Sequence, residues 1–119
     1  MGSKSQRKGA DGERELAAVL REYGYSIERG GSLSFGEVPD LVGLPDIHFE
    51  VKRVERLNVP EAMRQVVRDS EAFRDGAPAV FHRRSRAPWL VCMTLADWIS
   101  LYQRQKTAKN GEEVTNDTQ

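Results

Sequence analysis

At 119 residues the chain is long enough for one compact domain and too short for two. Apolar residues at 39% and charged residues at 30% exclude a disordered or fibrous chain. Eighteen basic and eighteen acidic residues cancel, so an anionic partner would be met by local clusters rather than by net charge. A lone Cys92 excludes an internal disulfide and fits a reducing compartment. No apolar run approaches the ~20 residues of a bilayer span, and the N-terminus lacks a hydrophobic signal core. The expectation is a cytoplasmic protein without a membrane partner.

Residues 1–8 are polar and are expected to form a flexible N-terminus ahead of a domain spanning 9–104. Leu16, Val19, Leu20 and Tyr23 recur at helical spacing and Gly24 follows as a stop, which predicts a helix over roughly 10–23. Tyr25 to Arg29 reads as a short strand, followed by a Gly/Ser-rich loop from Gly30 to Gly36. Val38 to Val42 and Ile47 to Arg53 read as strands joined by a turn at 43–46. A second helix fits 59–74, with Pro60 in its first turn and Val59, Met63, Val66, Val67 and Phe73 on its apolar side.

Ala79 to His82 and Trp89 to Thr94 are β-prone runs around a basic turn, and a third helix fits 95–104. Residues 105–119 hold a single valine as their large apolar residue and are expected to be a disordered tail. The order αβββαββα implies an α/β fold, a mixed sheet flanked by helices.

Residues 46–53 alternate strictly, so Ile47, Phe49 and Val51 share one face and Asp46, His48, Glu50 and Lys52 the other. A half-exposed strand with a wet face accounts for this pattern by itself. However, folding 38–42 back across the 43–46 turn brings Asp40 opposite Phe49 or Glu50. Two carboxylates and one ammonium then converge. Carboxylates held close repel, so one takes a proton or both share a cation. Hard oxygen ligands of this kind, with a backbone carbonyl and waters, suit Mg²⁺, with Mn²⁺ as a substitute. Such an ion polarises a scissile phosphate, and Lys52 is placed to orient a water nucleophile or to stabilise developing negative charge.

Pro39-Asp40 followed by Glu50-Val51-Lys52 resembles the P-D…(D/E)-x-K signature of the restriction-endonuclease-like nucleases, and the element order matches their core. Arg7-Lys8-Gly9, Gly12-Glu13-Arg14-Glu15-Leu16, Arg29-Gly30-Gly31-Ser32 and His48-Phe49-Glu50-Val51-Lys52-Arg53 are similar to segments of phage and archaeal Holliday junction resolvases. The resemblance covers roughly residues 7–98. It implies a metal-dependent, structure-specific endonuclease that acts on branched DNA in recombination and repair, of phage or prophage type. It further implies a prokaryotic or bacterial-host setting, and a homodimer, because a four-way junction needs two symmetric cuts.

Within that resemblance Asp40, Glu50 and the Val51 carbonyl hold the metal, and Lys52 positions the nucleophile. Glu13 completes the site; as a residue on the apolar face of its helix it needs a partner, although a glutamate near a helix start is also favoured by the macrodipole. Gln65 is a site residue by resemblance and equally a solvated helix residue. Ser32 resembles a serine near the scissile phosphate, in a loop where serine is common. Asp46 is the second Pro-Asp aspartate, but it lies ~13 Å along the strand from Glu50 and is read as a turn residue.

Arg7, Lys8, Arg29, Arg53, Arg56, Arg83, Arg84 and Arg86 are the candidate phosphate contacts, set against solvated faces neutralised by Glu55, Glu61, Asp69 and Glu71. The apolar stretch Trp89 to Leu101 is a candidate dimer surface. Two alternatives stand beside this reading. One is a flap, nicking or duplex nuclease with the same signature. The other is a DNA-binding accessory protein without catalysis.

Overall fold

The computed structural model describes residues 2–30 and 39–117, with side chains over 10–30 and 39–108. The elements are α1 (Gly2–Glu22), β1 (Glu28–Arg29), β2 (Leu41–Val42), β3 (Ile47–Arg53), α2 (Val59–Phe73), β4 (Ala77–Arg83), β5 (Leu90–Cys92) and α3 (Leu95–Asp117). This is the order expected from the sequence.

β3 is the central element. Its odd residues carry the apolar face, and Phe49 and Val51 are buried with Leu16, Ala17, Ile27, Leu41, Ala79 and Phe81 in the larger core. Phe49 stacks on Phe81 with ring centroids 4.6 Å apart. α1 covers this side. It comes so near β3 that a Cβ at Gly12 would lie 2.7 Å from the Cβ of Arg53, which explains a glycine inside a helix. α1 closes with Gly24 in the left-handed region (φ 101°) and the Tyr25 N–H donating to the Leu20 carbonyl at 3.2 Å.

α2 covers the opposite side of the sheet, where Ala62, Val66 and Val80 form a smaller buried cluster. Asn58 caps α2 by accepting from the Glu61 N–H at 3.2 Å, and Arg74 ends it in the left-handed region, its N–H on the Ser70 carbonyl at 2.7 Å. The helix thereby links β3 to a parallel β4, with Glu50 beside Val80 and Lys52 beside His82. β5 runs antiparallel on the outer edge of β4, so the three-stranded sheet is mixed, in the order β3-β4-β5.

β1 and β2 form a separate antiparallel pair, Glu28 against Val42 and Arg29 against Leu41. The turn between β2 and β3 uses Gly43 (φ 135°) and Asp46 (φ 67°), and the Asp40 N–H donates to the Phe49 carbonyl at 3.4 Å. Asp40 therefore stands opposite Phe49, as the 43–46 turn predicts, through this hydrogen bond and without a ladder between β2 and β3. β1 and β2 are shorter than the apolar runs suggested, whereas β3 has the expected bounds and β4 exceeds them.

The terminal segments differ from expectation. Residues 2–9 are the start of α1 rather than a separate segment, and α3 continues through 105–117 instead of ending at 104. Lys, Gln and Arg make up half of 2–9, and Lys, Gln, Ala and Glu about half of 105–117, so both stretches can hold a helix without an apolar face to bury. Tyr102 through Ala108 are exposed, so this part of α3 draws on backbone hydrogen bonding rather than packing. Among the described residues no helix is long and apolar enough to cross a membrane.

Candidate active site

The signature residues gather at the edge of β3. The Asp40 carboxylate accepts the backbone N–H of Val51 through Oδ2 at 2.7 Å. Val51 turns its side chain into the core, so its neighbours Glu50 and Lys52 project from the other face, where the Lys52 ammonium lies 3.2 Å from Glu50 Oε1. Asp40 is pushed up from 3.8 to about 7. Burial is the main cause, followed by the charge of Glu50; Glu13 adds to the rise, while the Val51 N–H and Lys52 oppose it. Asp40, Glu50, Lys52 and Glu13 thus share one electrostatic environment, although they come from the residue before β2, from β3 and from α1.

Glu13 is held by Arg29, whose Nε donates to Oε1 at 2.9 Å. Among the described residues no group of three or more acidic, histidine or cysteine side chains closes on one point. Gln65 is half-buried and lines a recess with Lys52, which brings it beside the site. Asp46 stays out: it is exposed in the turn and pairs with Arg104 at 3.1 Å.

The basic residues divide into two groups. Glu15 on α1 receives both Arg53, at 3.3 Å, and Arg83, which also donates to the Ala87 carbonyl at 2.7 Å. These two arginines tie α1 to the ends of β3 and β4, and a phosphate would have to compete with Glu15 for them. Arg56, Arg84 and Arg86 are exposed. Ser32 lies outside the described residues, and Arg7 and Lys8 lie on the α1 backbone with side chains outside the described set.

His48 shares the Glu50 face but not its surroundings. It is 1% exposed, stacked on Phe73 at 5.9 Å, with Nδ1 2.7 Å from Asp75 Oδ1. It joins β3 to the segment after α2. Sequence reasoning missed both Glu15 and Asp75. Their partners lie up to 68 and 27 residues away, and no local pattern marks such contacts.

A search of curated protein sequences finds no match. Among solved structures, the chain is similar to Archaeoglobus fulgidus Hjc, a Holliday junction resolvase from an archaeal hyperthermophile, at 25% identity over 72% of each chain with a TM-score of 0.54. The family model for archaeal Holliday junction resolvase (Hjc) matches residues 4–109, nearly the whole length over which α1, the β3 site and α3 are laid out. The chain therefore belongs to the archaeal Holliday junction resolvase (Hjc) family, whose members are nucleases acting in DNA recombination.

Proposed function

We propose that this resolvase hydrolyses the DNA backbone with a divalent cation, Mg²⁺ or Mn²⁺, at the site built from Asp40, Glu50, Lys52 and Glu13. The observation that carries the reading is the convergence of two carboxylates and a lysine on the Asp40–Val51 hydrogen bond. Asp40 holds a proton up to about 7 because it is buried beside Glu50 and Glu13, so the site is short of positive charge. A hard divalent ion fits that need and that donor set. Asp40, Glu50 and the Val51 carbonyl would hold it, and Glu13 would join on leaving Arg29. When bound, it would lower the pKa of a water and polarise the scissile phosphate.

The chain's own residues supply the rest. Asp40 is fixed by the Val51 N–H and so approaches the phosphate in one orientation. Lys52, kept near by Glu50, orients the attacking water and offsets charge developing on the phosphate oxygens. Arg56, Arg84 and Arg86 are the phosphate contacts this reading favours, since they stand exposed. Two symmetric cuts at a four-way junction need two such sites, and a second copy fits the exposed apolar residues of β5 and α3.

The test is cleavage of a labelled four-way junction beside matched flap, duplex and single strand, with Mg²⁺ and with EDTA, by wild type and Lys52→Ala. Paired metal-dependent nicks near the branch point, reduced about 10²-fold or more in the variant, are expected. Cleavage confined to flap or duplex would keep the site and remove the junction as its substrate. Binding without cleavage in any metal would overturn the catalytic reading.

A further inference from the structure

Between the end of β3 and the first turns of α2 lies a recess of about 270 Å³, with Lys52 as one of its walls. Arg56, Leu57, Asn58, Glu61 and Gln65 are among its other walls. We propose that this recess is the subsite for the nucleotide adjoining the scissile phosphate on the cleaved strand, with Arg56 on that nucleotide's phosphate and Gln65 hydrogen-bonding the same nucleotide. The inference rests on the nuclease reading above and adds a place for the strand on one side of the cut.

Three features support it. Lys52 lines the recess, so a strand whose phosphate meets Lys52 has its neighbouring nucleotide within reach of it. The volume lies just under the range of small-ligand sites and suits one nucleotide rather than a duplex. The lining has the required chemistry. Arg56 is exposed and makes no ion pair among the described residues, unlike Arg53 and Arg83 on Glu15. Its fork matches a phosphate. Asn58 has its oxygen committed to the Glu61 N–H and keeps its amide N–H groups as donors. Glu61 is the opposing charge in the recess, so an anion seated there is repelled by one carboxylate and drawn by two cations.

The experiment places a single uncharged methylphosphonate at each phosphate from two before to two after the cleaved bond of a junction. Cleavage in Mg²⁺ and binding in EDTA are measured for wild type, Arg56→Ala and Glu61→Gln. At one flanking position the neutral phosphate should slow wild-type cleavage and weaken binding about tenfold, the scale of one charge-assisted hydrogen bond. Arg56→Ala should lose a similar factor on the unmodified strand and nothing further at that position, while Glu61→Gln should bind the unmodified strand more tightly. Losses that multiply at every position, or weaker binding by Glu61→Gln, would overturn the subsite. Absence of cleavage in wild type would strike the nuclease reading alone, because the coupling is read separately in binding. Arg56 is exposed, and an unchanged melting temperature for its variant checks that folding is intact.

Discussion

The Val51 N–H donates to Asp40 Oδ2 at 2.7 Å, so the backbone of the central strand, rather than a side chain, fixes the orientation of the aspartate. Val51 is itself anchored in the core beside Phe49, and Glu50 and Lys52 are its immediate neighbours. One buried residue therefore sets the position of three polar ones. The same hydrogen bond lowers the proton affinity of Asp40, but burial and the charges of Glu50 and Glu13 outweigh it.

That balance predicts a pH-dependent stability in the metal-free protein. The folded state holds a proton on Asp40 up to about 7, whereas the unfolded chain releases it near 3.8. Between those values the native state binds more protons, so stability falls as pH rises. The contribution is complete below 3.8 and lost above about 7. Asp40→Asn carries no titrating proton and should remove this part of the slope. Urea unfolding in EDTA from pH 4 to 8 checks it, and parallel profiles for wild type and Asp40→Asn would contradict the assignment.

The two groups of arginines predict separable phenotypes. Arg53 and Arg83 share Glu15 across α1, β3 and β4, so Glu15→Ala strips two half-buried guanidinium groups of their common carboxylate and leaves Arg53 only Glu55 at 3.7 Å and Arg83 only the Ala87 carbonyl. A loss of about 1–3 kcal/mol in unfolding free energy is expected. Arg84→Ala and Arg86→Ala touch no such network. Each should leave stability within about 0.5 kcal/mol and lower the slope of log K against log salt for DNA by about one. An unchanged salt slope in both would remove the turn from the DNA surface.

His48 predicts a stability effect with a different origin. Its ring is buried between Phe73 and Asp75, so His48→Ala opens a cavity and leaves the Asp75 carboxylate without its partner. A cost of about 2–4 kcal/mol follows from both terms. Denaturant midpoints of the variant measure it. A change below 0.5 kcal/mol would mean that Asp75 and the α2–β4 connection are held by other contacts.

The core of the site is readable in the chain because it is local. Strict alternation over 46–53 and a tight turn at 43–46 bring Asp40 to Glu50 and Lys52 across eleven residues or so, and the Val51–Asp40 hydrogen bond spans that interval. His48 shows where alternation fails. A residue two before Glu50 belongs on the wet face by periodicity, but α2 lies across that end of β3 and Phe73 covers the ring. Glu15 was not legible, because helical spacing places it near neither Arg53 nor Arg83 until the sheet is assembled. The helical course of 105–117 was obscured for a different reason: composition reports burial, and a helix that is exposed from Tyr102 to Ala108 buries little there.

The exposed apolar surface leads to the last prediction. Leu95, Trp98, Ile99 and Tyr102 follow helical i, i+3, i+4, i+7 spacing on α3, and the rings of Trp98 and Tyr102 meet at 5.4 Å with their planes tilted by 32°. Leu90 and Val91 of the neighbouring edge strand β5 are also exposed. A stripe of this kind, following an edge strand whose outer side is unpaired among the described residues, suits a self-complementary, two-fold contact. Trp98→Glu places a charge in the middle of it and should give a monomer by sedimentation, with the fold retained by circular dichroism. Such a monomer keeps its Asp40–Glu50–Lys52 site, so it should nick a junction on one strand without the paired second cut. Paired cuts from a confirmed monomer would show that two sites need not be joined through α3, and a variant that stays dimeric would move the interface to another surface.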